Sequence, residues 1–255
     1  MWVDKEYVNP FDKDDKNFWI KIEHIGRYLY AVDVIKQRLH RSCVVADMGC
    51  AIGYGTKLLS AVAGRVTGFD CNEKYLGTAK MENVSNNTSY RYIDLQAECE
   101  KDLHESFDCI VAFEVLEHID DARIGLEVFK SALMDGGILI CSVPNDKFEC
   151  CDDNGYPLSA FHKRAYTKDM VLSMLSDAEF TVERVLGQYL PNVLAKKEAK
   201  MMRKRKSPMF TVTHDSFREK EFIDFFGYLL GYPTVENIED SYSFIYIAQK
   251  VRKGK

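Results

Sequence analysis

The sequence predicts an α/β fold: a doubly wound, mostly parallel sheet of seven strands, with helices on both faces and a cap inserted between the last two strands. Three observations carry this. From residue 43 onward, short apolar runs alternate with segments of helical spacing, the pattern of βα units that cover both faces of a parallel sheet. A glycine-rich turn, Asp47-Met48-Gly49-Cys50-Ala51-Ile52-Gly53-Tyr54-Gly55, follows the first apolar run and opens a helix, the context in which such a loop has chemical meaning. The chain has 255 residues, 46% hydrophobic and 29% charged, which is enough for one α/β domain and an addition to it.

Element by element, the N-terminal segment 1–40 contains a helix over Ile20 to Arg38. The first strand is Cys43 to Met48, with a helix over about residues 55–63 after the glycine turn. The second strand, Arg65 to Asp70, leads into a helix beginning near Asn72. Tyr90 to Ile93 is the third strand and Phe107 to Phe113 the strongly apolar fourth. Asp120 to Met134 has helical spacing, with Ile124, Val128, Ala132 and Leu133 on one face. Gly136-Gly137 ends that helix and starts the fifth strand, Ile138 to Val143. A helix over Thr167 to Ser176, a strand over Phe180 to Leu186 and a last strand over Ser243 to Gln249 complete the pattern. Residues 190–235 separate the last two strands by more than an ordinary α/β connection, so they read as an inserted cap. Residues 41–189 and 236–255 then form the body of the domain.

Composition narrows the function. A formal net charge of −5 argues against a dedicated nucleic-acid binder. No apolar stretch reaches the roughly eighteen residues of a membrane span. The N-terminus lacks the basic start and apolar run of a signal peptide, so a cytoplasmic location is expected. Eight cysteines include no C-x-x-C pair, and Cys150-Cys151 are adjacent, a poor zinc spacing. Cys43, Cys71, Cys109 and Cys141 lie in or beside apolar strands, where cysteine behaves as a small hydrophobe.

The glycine loop allows a tight turn and close approach of a ligand to the main chain. Asp70, twenty-one residues after Gly49, ends the second strand, where a carboxylate can accept hydrogen bonds from both ribose hydroxyls. The spacing D-x-G-x-A-x-G-x-G departs from the dinucleotide fingerprint. It resembles the first motif of class I, Rossmann-like S-adenosylmethionine-dependent methyltransferases, with Ala51 where the middle glycine is usual. Asp94-Leu95 after the third strand, Phe107 to Val111 followed by Glu114, and Leu133-x-x-Gly136-Gly137 resemble later motifs of that family in the same order. The resemblance implies S-adenosyl-L-methionine as cofactor, bound by Asp47, Gly49, Cys50, Ala51, Gly53, Asp70, Cys71, Asp94, Leu95 and Phe113. Glu23-His24-Ile25-Gly26-Arg27-Tyr28 resembles the N-terminal helix of sugar- and antibiotic-tailoring methyltransferases, which implies that Arg27 pairs with the cofactor's carboxylate. The competing reading of Arg27 is a surface residue on an amphipathic helix.

Glu114-Val115-Leu116-Glu117-His118 follows the fourth strand, at the carboxyl edge where open α/β sheets bind ligands. Two carboxylates and an imidazole so close together are costly unless they share a proton or a cation. The string E-x-x-E-H resembles both ubiquinone-pathway O-methyltransferases and the enzymes that methylate the 3′-terminal 2′-hydroxyl of small RNAs. The RNA branch implies a divalent metal (Mg²⁺, Mn²⁺ or Zn²⁺) held by Glu114, Glu117, His118 and a later histidine, here His162. The metal-free version makes His118 the general base, with Glu114 and Glu117 orienting the helix or the substrate.

The cap carries the basic run Lys196 to Lys206, readable as a phosphate-binding surface or as a solvated helix face. Its aromatics, Phe210, Phe217, Phe222, Phe225, Phe226 and Tyr228, are expected to pack the cap onto the sheet. The expected function is methylation of a small-molecule hydroxyl on a sugar, a nucleotide-linked sugar or a related metabolite. The alternatives are a metal-dependent RNA ribose 2′-O-methyltransferase and a non-catalytic cofactor-binding partner protein.

Overall fold

The computed structural model describes residues 7–252 apart from 16, 97–102, 105, 189 and 237. Seven strands, β1 (Val44–Met48), β2 (Arg65–Asp70), β3 (Thr88–Tyr92), β4 (Phe107–Phe113), β5 (Leu133–Pro144), β6 (Phe180–Gln188) and β7 (Ser243–Lys250), form one sheet in the order β3-β2-β1-β4-β5-β7-β6. The pairs β1–β2, β1–β4, β2–β3 and β4–β5 are parallel, while β7 runs antiparallel to both β5 and β6. The order reverses between β1 and β4, and a parallel sheet opens a ligand crevice at such a point, beyond the strands' carboxyl ends.

Strand periodicity divides the core into two layers. In β4, Cys109, Val111 and Phe113 face the layer that contains the long helix α1 (Phe18–Arg38). Ile110 and Ala112 face the layer covered by α4 (Ala122–Ala132) and α5 (Lys168–Asp177). This is the alternation that a two-residue side-chain period imposes on a strand buried on both faces. Two further helices, α2 (Tyr54–Leu59) and α3 (Glu73–Glu82), follow β1 and β2.

Side-chain caps explain where several helices begin. Asn72 accepts from the Lys74 and Tyr75 amides, Asp121 from Arg123 and Thr167 from Met170, so each sits just outside its helix. The helix expected from Asp120 therefore starts at Ala122, and it ends at Ala132 because β5 begins at Leu133, ahead of the glycine pair. Val128, Ala132 and Leu133 of the expected face are buried, joined by Gly125, Leu126 and Phe129, while Ile124 is 44% exposed.

Between β6 and β7 lie α6 (Leu190–Arg205), α7 (Phe210–Thr213), α8 (Lys220–Phe226) and a wide helical turn over Gly227–Gly231. α6, α8 and the turn pack mainly against α1, where the aromatic residues were expected on the sheet; the sheet meets this segment through Gln188, which donates to the Gly231 carbonyl, and through a bridge between Gly187 and Thr234. Phe217 and Phe226 meet Phe18 edge-on at 4.9 and 5.5 Å between ring centres, and Trp19 Nε1 donates to Glu198 at 2.9 Å. Gly26 lets the two backbones touch, since a Cβ there would overlap the main chain of Gly231. Among the described residues, no helix is long and apolar enough to cross a membrane.

Candidate active site

The loop after β1 folds onto the end of β2. The amides of Gly49 and Cys50 both donate to the Phe69 carbonyl, at 2.8 and 2.9 Å. Asp70 Oδ2 accepts from the Ala51 amide and Oδ1 from the Asn72 amide, each at 2.8 Å. Gly49 and Gly53 have φ of +73° and +82°, and Ala51 has φ of +45°. The left-handed region suits glycine, so Ala51 keeps the backbone shape of the usual motif while carrying a Cβ that disfavours it. Asp47 is fully buried. Its oxygens accept from Tyr28 Oη at 3.0 Å and Thr56 Oγ1 at 2.6 Å, which ties α1 and α2 to the end of β1. Burial outweighs these donors and pushes its carboxyl up to about 7.

Arg27 is 1% exposed, which excludes the surface reading. Its guanidinium pairs with Glu23 one turn earlier on α1 and with Glu114 beyond β4, both at 3.0 Å. Ser142 Oγ on β5 donates to Glu114 Oε1 at 2.7 Å and accepts from the Glu114 amide at 3.0 Å. Glu114 itself stands at φ +52°, a strained conformation held by these partners. Arg27 Nε is buried with no hydrogen-bond partner, so one donor of the fork remains for a ligand. Nearby, His24 Nδ1 lies 3.2 Å from Tyr54 Oη. Burial, then the Arg27 charge, holds this imidazole well below its ordinary pKa.

Glu117, His118 and His162 present ligand atoms all within 4.8 Å of one another. The two imidazoles meet edge-on, 5.0 Å between ring centres. His118 Nδ1 bonds the Phe161 carbonyl at 2.9 Å, and His162 Nδ1 bonds Glu149 Oε2 at 2.8 Å. In a neutral ring this makes Nδ1 the donor and leaves the lone pair on Nε2, the tautomer that binds a cation or takes a proton. Glu117 is 1% exposed, and neither carboxylate oxygen has a hydrogen-bond partner. Burial first, and Glu114 second, raise its pKa well above the ordinary carboxyl range. Glu114, expected as a fourth member, is absent from this cluster because Arg27 and Ser142 hold its carboxylate. The donor set of one buried carboxylate and two oriented imidazoles, with Glu149 behind one of them, fits a divalent cation.

A cavity of about 680 Å³ joins these parts. Arg27, Gly49, Cys50, Ala51 and Phe113 line it on the loop side, Glu114, His118 and His162 on the other. Asp70, Cys71, Asp94 and Leu95 lie outside its lining. Leu95 is buried in the core, and Asp94 Oδ1 accepts from the Gln96 amide at 2.9 Å. Sequence reasoning missed Glu23, Tyr28, Ser142 and Glu149. The four-residue spacing of Glu23 and Arg27 on one helix was a usable signal. Nothing in the sequence around Glu149 or Ser142 marks a partner that only the fold brings near.

Comparison with known proteins agrees with this architecture. A family model described as a methyltransferase domain matches residues 24–185. A "probable S-adenosylmethionine-dependent methyltransferase" of Mycolicibacterium smegmatis is 30% identical over 73% of this chain and 68% of its own length. Two Mycobacterium tuberculosis relatives of the same description are matched over 61% of theirs. A ubiquinone biosynthesis O-methyltransferase of Hydrogenovibrio crunogenus is 23% identical over 90% of this chain and 93% of its own. Among solved structures, an S-adenosylmethionine-dependent methyltransferase from Mesorhizobium loti superposes with a TM-score of 0.57 at 16% identity, covering 88% of this chain and 98% of its own; this likeness concerns the fold. On the family match and these relatives, the chain belongs to the class I S-adenosylmethionine-dependent methyltransferases.

Proposed function

We propose that this enzyme methylates a hydroxyl of a small molecule, on a sugar, a nucleotide-linked sugar or a related metabolite. One observation carries the reading. The glycine loop lines the same cavity as His118 and His162, with Glu117 behind them, which supports a donor held beside a proton-accepting cluster. The similarity to a ubiquinone biosynthesis O-methyltransferase supports oxygen as the acceptor atom.

The glycine loop, whose turn brings main chain close to the ligand, and Asp70 would hold the adenosine, and the remaining donor of Arg27 the carboxylate of the methionine moiety. As the acceptor oxygen bonds the methyl carbon, the carbon–sulfur bond breaks and the hydroxyl proton must leave. His118, with Glu117 beside it, would take or hold that proton. The Phe161 carbonyl and Glu149 fix the two imidazole rings, so orientation precedes substrate binding. The buried, unpartnered carboxylate of Glu117 favours a cation shared with His118 and His162, which would lower the hydroxyl's pKa directly. The diversion of Glu114 to Arg27 favours the second reading, in which His118 acts alone as general base. We take segment 190–235 to cap the acceptor side of the cavity.

The test is methyl transfer from labelled cofactor to a panel of hydroxyl metabolites and to short RNAs, with and without chelator. Transfer to a metabolite hydroxyl is expected. Transfer confined to RNA 3′ ends would replace the small-molecule reading, and transfer to nitrogen would remove the assignment to oxygen.

A further inference from the structure

The basic run of the cap carries seven cations, Lys196, Lys197, Lys200, Arg203, Lys204, Arg205 and Lys206. Among them Lys196 lines the cavity that holds His118 and His162; the other six lie outside its lining. Arg203 is about 10 Å further along α6 at an ordinary helical rise. The other fixed cation in the described lining, Arg27, is matched by Glu23 and Glu114 at 3.0 Å each. Lys196 makes no ion pair with any described residue.

The place of Lys196 is built into the fold. Two residues on, Glu198 is 7% exposed and accepts from the Thr211 amide at 2.8 Å, Thr211 Oγ1 at 2.5 Å and Trp19 Nε1 at 2.9 Å. This buried carboxylate clamps α6 to both α1 and α7, so the turn bearing Lys196 is held over the cavity. Lys200 and Arg203 follow at four and seven residues, the spacing of one helix face. Together the three cations form a line that begins at the cavity and leads outward.

We propose that Lys196 is a specificity-determining residue that binds a phosphate group on the methyl acceptor, with Lys200 and Arg203 extending the site to a second phosphate. A single carboxylate would need one cation; a line of three matches a multiply charged anion such as a diphosphate. Glu23, Glu114 and Glu149 in the same lining disfavour a second anion beside them, which leaves the Lys196 end of the cavity as the place for a phosphate on the acceptor. The proposal rests on the hydroxyl-methylation reading for where the other end of the acceptor lies.

Two measurements test it. In the first, inorganic pyrophosphate is titrated by calorimetry into protein loaded with S-adenosylhomocysteine. Lys196→Ala is expected to weaken binding about tenfold or more, the usual worth of a charge-assisted contact, while Lys196→Arg retains it and affinity for S-adenosylhomocysteine stays unchanged. Absence of pyrophosphate binding to the wild-type protein would overturn the proposal. So would binding lost in Arg205→Ala but kept in Lys196→Ala. In the second, kinetics compare a sugar with its nucleoside-diphosphate conjugate. Lys196→Ala should raise KM for the conjugate and leave KM for the free sugar and kcat for both near wild type; an equal rise for both refutes a phosphate contact. Pyrophosphate binding through Lys196 without transfer to any hydroxyl would remove the reaction assignment and keep the anion site. Transfer to hydroxyls with no preference for phosphate would do the reverse.

Discussion

Replacing Glu23 by Gln should make the enzyme more stable relative to wild type as the pH rises. Glu23 is buried on α1 and pairs with Arg27 at 3.0 Å. Burial outweighs that pairing, and Glu114 shares the same cation, so the carboxyl is pushed from 4.5 up to about 7. A carboxyl whose folded pKa lies above its unfolded value binds more protons in the folded state across that window. Its favourable contribution is complete below pH 4.5 and is lost as pH climbs through 7. At about 1.4 kcal/mol per pH unit, the loss amounts to about 3 kcal/mol. Gln has no proton to release, and its amide oxygen can still accept from Arg27. The unfolding free energy of Glu23→Gln minus that of wild type should therefore rise by about 3 kcal/mol between pH 4.5 and 8, or about 6–12 °C in Tm for a chain of this size. Guanidinium unfolding at a series of pH values reads the difference directly. A difference that is flat across the series, or that falls with pH, would mean that Arg27 keeps Glu23 ionised throughout and that the burial argument is wrong.

Asp70→Ala should weaken S-adenosylhomocysteine binding at least tenfold by calorimetry, since it removes both the proposed ribose contacts, each worth about 1.5–3 kcal/mol, and the bond that holds the Ala51 amide. Unchanged affinity would remove Asp70 from the cofactor site. If the cation reading holds, EDTA should abolish turnover and Mn²⁺ or Mg²⁺ restore it, and Mn²⁺ bound to wild-type protein, counted by electron paramagnetic resonance, should be missing from His118→Ala. Full activity in EDTA, with a rate governed by one ionisation near neutral pH, would assign His118 as a lone base. Gly26→Ala forces a methyl group into the Gly231 backbone; about 1–3 kcal/mol of destabilisation is expected, as for other overpacked sites. Thermal melting that shows no change would contradict the tight seating of the cap on α1.

Much of the fold was legible in the sequence because strand burial leaves a local trace. β2 and β4 run over the residues expected, since a parallel strand covered on both faces buries nearly every position between its ends and so carries few charges there. The glycine loop was equally legible, because its backbone needs residues free to adopt positive φ; Ala51 departs from that rule and still takes φ of +45°. The crowding within Glu114 to His118 was legible too, as charges so close are costly without a shared partner, and Glu114 has such a partner in Arg27. Which of those charges meet was decided only by tertiary structure. Arg27 lies 87 positions before Glu114 and draws it away from His118, a competition invisible to spacing along the chain. His162 reaches His118 because β4 and β5 are parallel neighbours and the following loop returns over them. The basic run shows the division most clearly. Its charge is written in the sequence, but the clamp of Glu198 on Trp19 and Thr211 decides that Lys196 faces the cavity. Local composition sets what each segment can become, whereas long-range pairing of buried polar groups, each of which must find a partner somewhere, sets which side chains share a site.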